Sequence, residues 1–175
     1  QLLKSLAADL ARSARLEEVV SSIHDTLRQK ISYDTMAFYI RRQDDLEPVY
    51  VLGGHESLFT KAPFPMGGGL SGWVAQNGVP VVNGNVSLEA CYTNDSDVLT
   101  NLQSALAVPF VGRKGATGVL TLYHLDRSAF SQDDLRILEA ASAHIGPAVE
   151  GALRFREAEE TAARDHLTGV ANARA

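Results

Sequence analysis

The sequence predicts an α+β fold, in which helices from both ends of the chain pack against an antiparallel sheet. Apolar residues recur at helical spacing near the N terminus and again after Ser131, which indicates the helices. Short apolar runs alternate with polar turns through the middle of the chain, which indicates the sheet. With 175 residues and 45% hydrophobic content, the chain can bury one ordinary core and carry extra helix.

The N-terminal region predicts one long helix or two helices in tandem. Two apolar stripes at helical spacing support this prediction, formed by Leu2, Leu3, Leu6 and Leu10 and then by Leu16, Val19, Val20, Ile23 and Leu27. Ser13 lies between the stripes and is the predicted cap of the second helix, with Glu17 and Glu18 near its positive end.

The middle of the chain predicts two hairpins. The first joins residues 36–40 to residues 49–52, and the second joins residues 102–111 to residues 118–123. All of these runs are flanked by polar or glycine-containing turns, as hairpins require.

A glycine-led segment separates the hairpins. The three glycines at 67–69 open a short helix over residues 70–77, which Gly78 can end in the left-handed conformation. A strand is predicted at residues 79–82. The polar stretch 83–101 has few core candidates and is the predicted loop or lid.

The closing helix is predicted from residue 131 onward. Ser131 and Asp134 form a capping-box pattern, and an apolar stripe follows from Leu135 to Phe155. Pro147 lies inside this stripe, deletes one backbone hydrogen bond and should kink the helix. Residues 156–164 are mostly alanine and charged residues, which is typical of an exposed or coiled-coil connecting helix.

The strands are apolar on both faces, so the sheet needs a cover on each side. The terminal helices supply one cover. The short helix and the polar loop supply the other, which is the looser of the two. A face covered by loops is suited to binding a small molecule between the loops and the sheet.

The composition argues against several classes of partner. The net charge is −5 and neither sign forms a run, so we expect no nucleic-acid binding and no membrane contact by these residues. The apolar runs are far shorter than the ~20 residues of a membrane span. Cys91 is the single cysteine and can form no internal disulfide, which together with the lack of a secretory segment predicts a cytoplasmic setting.

Four segments of the sequence resemble the GAF family. They are FPMGGGLSGWVAQNGVPVV at 64–82, LAVPFVG at 106–112, GVLTL at 118–122 and FSQDDLRIL at 130–138. The resemblance covers residues 16–151. It implies a GAF fold with a central antiparallel sheet of about six strands, terminal helices on one face, and a ligand pocket under a loop and short helix on the other.

The resemblance implies ligand contacts on the first two strands and the short helix, and the polar loop adds candidate hydrogen-bonding groups. The expected ligand-binding residues are Met36, Phe38, Leu52, Leu70, Ser71, Trp73, Tyr92, Asn94 and Asp95, with Tyr39 as a further candidate. Two alternatives stay open: the pocket is filled by its own large side chains, or the loop residues are ordinary surface polarity. The Asn-Lys-x-x-Phe-Asp-Glu signature of cyclic-nucleotide GAF domains is not found.

Gly67, Gly69 and Gly72 formally match the G-x-G-x-x-G dinucleotide fingerprint. The context is wrong, because Pro63 and Pro65 stand where that fingerprint needs a buried parallel strand. We therefore expect the glycines to serve a turn and close packing.

The sequence shows no catalytic or metal-binding constellation. The histidines have no H-x-x-x-H spacing, so we predict no metal site, although a haem ligated by one of them stays an alternative. No cofactor is certain, and the expected occupant of the pocket is an unidentified small-molecule ligand. Cys91 is a candidate redox thiol or bilin attachment site, although Tyr92 stands where bilin-binding members have a histidine. GAF-fold methionine sulfoxide reductases rely on several cysteines, so a single cysteine argues against that enzyme.

Residues 165–175 resemble the opening of a different family, the GGDEF domains. The matching residues are Asp165, Leu167, Thr168, Gly169 and Asn172, whereas Ala173 replaces an arginine of the pattern. Active GGDEF domains are diguanylate cyclases, which join two GTP molecules into cyclic di-GMP. The predicted organisation is therefore a linker helix at 1–13, a GAF domain at 14–155, a connecting helix at 156–164 and the truncated start of a GGDEF domain at 165–175.

We predict a non-catalytic sensory module that forms a homodimer and delivers two downstream GGDEF domains to one another. Its expected interface lies on the terminal helices at Leu3, Leu6, Leu10, Leu138, Ile145, Ala152 and Phe155. A small-molecule effector would bias the arrangement of the helices. The alternatives are a ligand-free dimerisation spacer and a redox-active GAF enzyme.

Overall fold

The computed structural model describes residues 2–54, 63–92, 101–115 and 117–172, and the side chains of these residues except at 90–92 and 168–172. The helices are α1 (Leu2–Arg12), α2 (Leu16–Arg28), α3 (Gly69–Asn77) and α4 (Gln132–Asn172), with a 3-10 helix at Val86–Tyr92. The strands are β1 (Thr35–Arg42), β2 (Asp45–Gly53), β3 (Phe64–Pro65), β4 (Val81–Gly84), β5 (Ser104–Val111) and β6 (Thr117–His124). The α+β class is confirmed.

The strands of the described residues form one antiparallel sheet in the order β3-β2-β1-β6-β5-β4. Both predicted hairpins are confirmed, since β1 pairs with β2 and β5 pairs with β6. The two hairpins meet at the centre, where β1 pairs with β6 and Ala37 lies opposite Thr121. The sequence did not indicate β3, a two-residue strand that pairs with the start of β2.

Local sequence signals set most helix ends. The capping box is confirmed, because the Asp134 N–H donates to the Ser131 hydroxyl at 3.1 Å and the Ser131 N–H donates to the Asp134 carboxylate at 2.8 Å. Gly78 ends α3 with a φ of 67°. The predicted cap of α2 is wrong: Ser13 donates instead to the Asp9 carbonyl at 2.9 Å, and α2 begins after Arg15 with no side-chain cap.

Helices α1, α2 and α4 pack together on one face of the sheet, which we call the helix face. Its core is built from the apolar stripes of the helices and alternate residues of the central strands, and Leu6, Ile23, Phe38, Leu120 and Ile145 are all fully buried there. Burial of one such side chain stabilises the fold by about 1.5–3 kcal/mol. The first of the two predicted covers is thus confirmed.

Helix α1 is part of this packed face. Leu6 and Leu10 are buried in the same core as the residues of α2 and α4. Residues 1–13 were expected to form a linker helix; the helix is present as α1, and its apolar stripe packs on the helix face.

The predicted dimer interface is also corrected, because most of its residues pack inside the helix face of a single chain. Five of its residues are buried inside the protomer, namely Leu6, Leu10, Leu138, Ile145 and Ala152. Leu3 is half-buried against the same core, and Phe155 remains 40% exposed. An apolar stripe has the same spacing whether it packs within one chain or between two, so the sequence could not distinguish them.

Helix α4 is one helix from Gln132 to Asn172, unbroken at Pro147. It joins the predicted closing and connecting helices without an interruption. Past Leu153, the side chains of residues 154–167 are all exposed. The second half of α4 therefore presents a solvent-exposed surface, tied to the domain by the ion pairs of Arg15 with Glu159 and of Arg42 with Glu157.

Candidate ligand site

The opposite face of the sheet, which we call the open face, is covered by α3 and the 3-10 helix. Its buried core is smaller than that of the helix face and comes from β1, β5 and β6 below and the two short helices above. Leu70 and Val74 of α3 and Val86 of the 3-10 helix contribute to it. This confirms the second, looser cover that the sequence predicts, and shows that part of the predicted polar loop is helical.

Three predicted ligand-binding residues lie on the wrong side of the sheet. Met36 and Phe38 are fully buried in the core of the helix face, and Leu52 packs against that same core. Their neighbours Ala37 and Tyr39 point to the open face, because successive strand residues alternate between faces. The expectation that Met36, Phe38 and Leu52 contact a ligand beside α3 is therefore wrong.

The residues predicted on α3 are on the open face. Leu70 and Ser71 are buried, and Trp73 is 43% exposed. The glycines before them act as expected, since Gly69 has a φ of 65° and a Cβ at Gly72 would press on the Pro65 carbonyl.

A hollow of about 430 Å³ opens beside α3, and we call it the cup. Its lining is apolar and comes from α3, β4 and the 3-10 helix, with Gly67, Gly69, Leu70, Trp73, Val81 and Leu88. Trp73 and Leu88 are both large and about half exposed. An indole beside a leucine in a concave site offers contact area to an apolar or aromatic group of a ligand.

A buried polar network lies under the same cover. Its centre is Glu89, whose carboxylate accepts the Ser71 N–H at 2.6 Å and the Tyr123 hydroxyl. The Tyr123 hydroxyl is also 2.8 Å from the Tyr39 hydroxyl, and the Ser71 hydroxyl is 2.9 Å from that of Thr121. These five side chains, which we call the buried network, connect the 3-10 helix to α3, β1 and β6.

Burial governs the electrostatics of the network. Desolvation raises the pKa of Glu89, opposed by hydrogen bonds from Ser71 and Tyr123. Burial and the nearby Glu89 carboxylate raise the pKa of Tyr39 and that of Tyr123 well above the ordinary value, so both phenols stay protonated and can donate. The network is a set of fixed donors arranged around one carboxylate.

The cup and the buried network are built on the same two elements, α3 and the 3-10 helix. Leu70 lines the cup and Ser71 follows it in the network, while Leu88 lines the cup and Glu89 follows it. The apolar lining and the polar groups therefore belong to the same cover of the sheet. This arrangement, an apolar cavity with a few convergent polar groups, is typical of small-molecule sites.

Sequence reasoning missed Glu89 and Tyr123. Glu89 falls in a stretch that is polar overall, where a glutamate indicates solvent contact. The available signal was the alternation along β6, which puts Thr121 and Tyr123 on one face with Val119.

Several predicted residues lie outside the described part of the site. The side chains of Cys91 and Tyr92 are not described, nor are Asn94 and Asp95. Within the described residues, no group of three His, Cys, Asp or Glu side chains could hold a metal ion. On α4, Asp165 and Leu167 are exposed, and the side chains of Thr168, Gly169 and Asn172 are not described.

Residues 13–150 match the sequence profile of the GAF domain. The chain belongs to the GAF family. GAF domains are commonly sensory or regulatory modules. No curated protein sequence matches the chain significantly.

Solved structures share the GAF fold with this chain. The GAF domain of an Acinetobacter phosphoenolpyruvate-protein phosphotransferase is 18% identical, with a TM-score of 0.69 over 87% of this chain and 93% of that one. The GAF domain of a Bacillus halodurans two-component sensor histidine kinase is 18% identical, with a TM-score of 0.65 over 82% and 99%. Free methionine-R-sulfoxide reductase from Neisseria meningitidis, solved with its substrate, is 19% identical, with a TM-score of 0.68 over 87% and 89%.

The shared fold includes both non-catalytic sensors and an enzyme, so it does not by itself decide the chemistry of this chain. Among the described residues, no helix is long and apolar enough to cross a bilayer.

Proposed function

We propose that this GAF domain is a sensory module that binds a small molecule in the cup and transmits the binding to α4. The observation that carries the proposal is the difference between the two sheet faces. The helix face is filled by apolar side chains, whereas the open face combines the cup with the buried network. A half-exposed Trp73 in the cup, together with hydroxyl donors buried under the same cover, favours ligand binding over a purely structural face.

A route from the cup to α4 runs through the second hairpin. Tyr123 of the buried network lies on β6, which pairs with β5 along its length. The turn between these strands is held by α4, because the Lys114 N–H donates to the Glu150 carboxylate at 3.0 and 3.2 Å. A shift of β6 caused by a ligand would therefore act on α4 at Glu150.

Trp73 provides a direct test, since it is the single tryptophan of the chain. A metabolite library would be titrated while the fluorescence of Trp73 and the melting temperature are recorded. A ligand of the cup should change the fluorescence and raise the melting temperature in proportion to its affinity. Trp73→Phe serves as a binding control, and a library with no hit would favour the structural spacer.

We propose that the output is a GGDEF domain following residue 164, supported by the resemblance at Asp165, Leu167 and Asn172. Ligand binding would change the position of the connecting helix and so the formation of cyclic di-GMP. Amide hydrogen exchange in residues 156–164 should change when the ligand of the cup binds. Unchanged exchange with a verified ligand would contradict the coupling.

A homodimer in this proposal uses the exposed half of α4, not the residues buried in the helix face. Phe155 is 40% exposed and Leu167 is 84% exposed on the part of α4 that leaves the domain. Sedimentation of the protein and of a Leu167→Asp variant tests this, because the variant should shift the equilibrium toward monomer. A Leu3→Asp variant that dissociates the dimer instead would move the interface to α1.

The alternative function is a redox enzyme, favoured by the fold similarity to methionine-R-sulfoxide reductase. Cys91 is the single thiol available for it. Turnover of free methionine sulfoxide by the wild type, lost in Cys91→Ser, would establish the enzyme, and no turnover by the wild type would remove it.

A further inference from the structure

The carboxylate of Glu89 lies at the centre of the buried network. Glu89 is fully buried and accepts hydrogen bonds from the Ser71 N–H and the Tyr123 hydroxyl. The Tyr39 hydroxyl lies next in line at 2.8 Å from that of Tyr123. Donors from a helix and from the sheet thus converge on a single carboxylate, which shows that the site recognises this group.

The 3-10 helix that carries Glu89 has few buried side chains among those described. Among its described side chains, Val86 and Glu89 are buried, whereas Ser87 and Leu88 are exposed. The desolvation that raises the pKa of Glu89 also opposes the burial of its charged form. Exchange of this carboxylate for another would keep every donor satisfied and return Glu89 to water, so it conserves the hydrogen bonds of the network.

We propose that the Glu89 carboxylate is an exchangeable occupant of an anion subsite, and that cup and subsite together bind a small molecule with one carboxylate and one apolar or aromatic group. This rests on the proposed function, in which the cup is the ligand site. The apolar group contacts Trp73 and Leu88, and the ligand carboxylate replaces that of Glu89 at Ser71 and Tyr123. Displacement of the 3-10 helix and the change of hydrogen-bond partner at Tyr123 then shift β6.

The size of the entrance fits such a ligand. The cup holds about 430 Å³ between Trp73, Leu88 and Val81, and Ser71 and Glu89 of the network directly follow Leu70 and Leu88 of its lining in the chain. An aromatic or branched aliphatic group fills that volume better than an extended polar one. Within the described residues no Lys or Arg lines the cup, so the subsite is the anion-binding element.

Acetate tests the subsite, because it has the same heavy atoms that Glu89→Ala removes beyond Cβ. Acetate should raise the melting temperature of Glu89→Ala saturably, relative to chloride at equal ionic strength, and acetamide, which has one acceptor oxygen in place of two, should raise it less. Acetate should also change the Trp73 fluorescence of this variant. Glu150→Ala is the matched control, since its buried carboxylate lies at α4 and acetate should leave its Trp73 signal unchanged.

Phenylacetate tests the ligand class, with phenylacetamide as its neutral counterpart. In Glu89→Ala, phenylacetate should bind more tightly than phenylacetamide, because both carboxyl oxygens can accept from Ser71 and Tyr123, whereas the amide nitrogen offers no acceptor. Its affinity should rise from the wild type to Glu89→Gln to Glu89→Ala, as the internal competitor is weakened and then removed. If Glu89→Ala does not fold, the phenylacetate affinities of the wild type and Glu89→Gln still test the proposal.

Equal phenylacetate affinity in the wild type and the variants would overturn the proposal, and so would the lack of any acetate effect on Glu89→Ala. A neutral compound that alters Trp73 fluorescence and the exchange of residues 156–164, with no effect of Glu89→Gln, would overturn the subsite and leave the proposed function in place. If acetate stabilises Glu89→Ala but no compound binds in the cup, the subsite is supported and the proposed function is contradicted.

Discussion

The two faces of the sheet are covered by elements of the same chain but with different chemistry. Three long helices fill the helix face with apolar side chains, and Ile23, Leu120 and Ile145 are fully buried there. The open face has two short helices, a smaller apolar core, a buried network around Glu89 and the cup. Stability is concentrated on the helix face, whereas the open face carries the proposed ligand site, as expected where a rigid scaffold supports a site.

The largest expected effect is on the helix face. Ile145→Ala should lower the free energy of unfolding by about 2–5 kcal/mol, because it leaves a cavity in a closely packed core. Urea unfolding measures this, and the loss should not depend on protein concentration. Glu139→Ala, at an exposed position of the same helix, is the control, with an expected change within about 0.5 kcal/mol. A loss that vanishes at high concentration would instead place Ile145 in a dimer interface.

Two glycines of α4 distinguish the side of the helix that packs on β5 from the side that faces open space. A Cβ at Gly146 would collide with the Val111 carbonyl of β5, so Gly146→Ala should lower the free energy of unfolding by about 1–3 kcal/mol. Nothing lies within 4 Å of a Cβ at Gly151, and Gly151→Ala should stabilise by about 0.5–1 kcal/mol through helix propensity. Thermal unfolding of both variants tests this, and equal effects would mean that α4 does not pack closely on β5.

On the open face, the network should have a measurable but smaller role. Glu89→Ala removes the acceptor of the Ser71 N–H and one partner of the Tyr123 hydroxyl, and it should cost about 1–3 kcal/mol, the range for a buried donor left unpaired. Glu89→Gln retains an acceptor and should cost less. Urea unfolding of the two variants gives the comparison, and a larger loss for Glu89→Gln would contradict the role of the carboxylate as an acceptor.

The pH dependence of stability isolates the charge of Glu89. Burial raises its pKa in the folded protein, so the folded state keeps the proton to higher pH than the unfolded state does. The contribution of Glu89 is therefore fully present below the unfolded-state pKa and is lost as the pH rises through the folded-state pKa. Urea unfolding from about pH 4 to about pH 8 should show this decline in the wild type. Glu89→Gln should lack it, and parallel profiles would mean that Glu89 is not the group responsible.

The smallest expected effect is at the surface of α4. Arg42 of β1 contacts Glu157 at 3.4 Å, with both side chains about half exposed. A double-mutant cycle with Arg42→Ala and Glu157→Ala should give a coupling of about 0.5 kcal/mol or less, decreasing with salt. A coupling well above 1 kcal/mol would show that the distal half of α4 is held more firmly to the domain than exposed ion pairs allow.

Much of the fold could be predicted because its signals are local. The capping box at Ser131, the left-handed Gly78 and the two hairpins depend on residues within a few positions of each other. The face assignment of β1 could not be predicted. Met36 and Phe38 alternate with Ala37 and Tyr39, and since both sets are apolar, the period of two does not say which set meets the helices.

The order of the helices and hairpins, the GAF resemblance and the need for two covers on the sheet follow from the amino-acid sequence. Only the folded structure shows that the leucine stripes of α1 and α4 are buried within one protomer, and that Glu89 is buried among tyrosines and not in solvent. The physical reason is the same in both cases. Spacing along a chain sets which side chains share a face, whereas their environment depends on contacts between residues far apart, such as Glu89 with Tyr123.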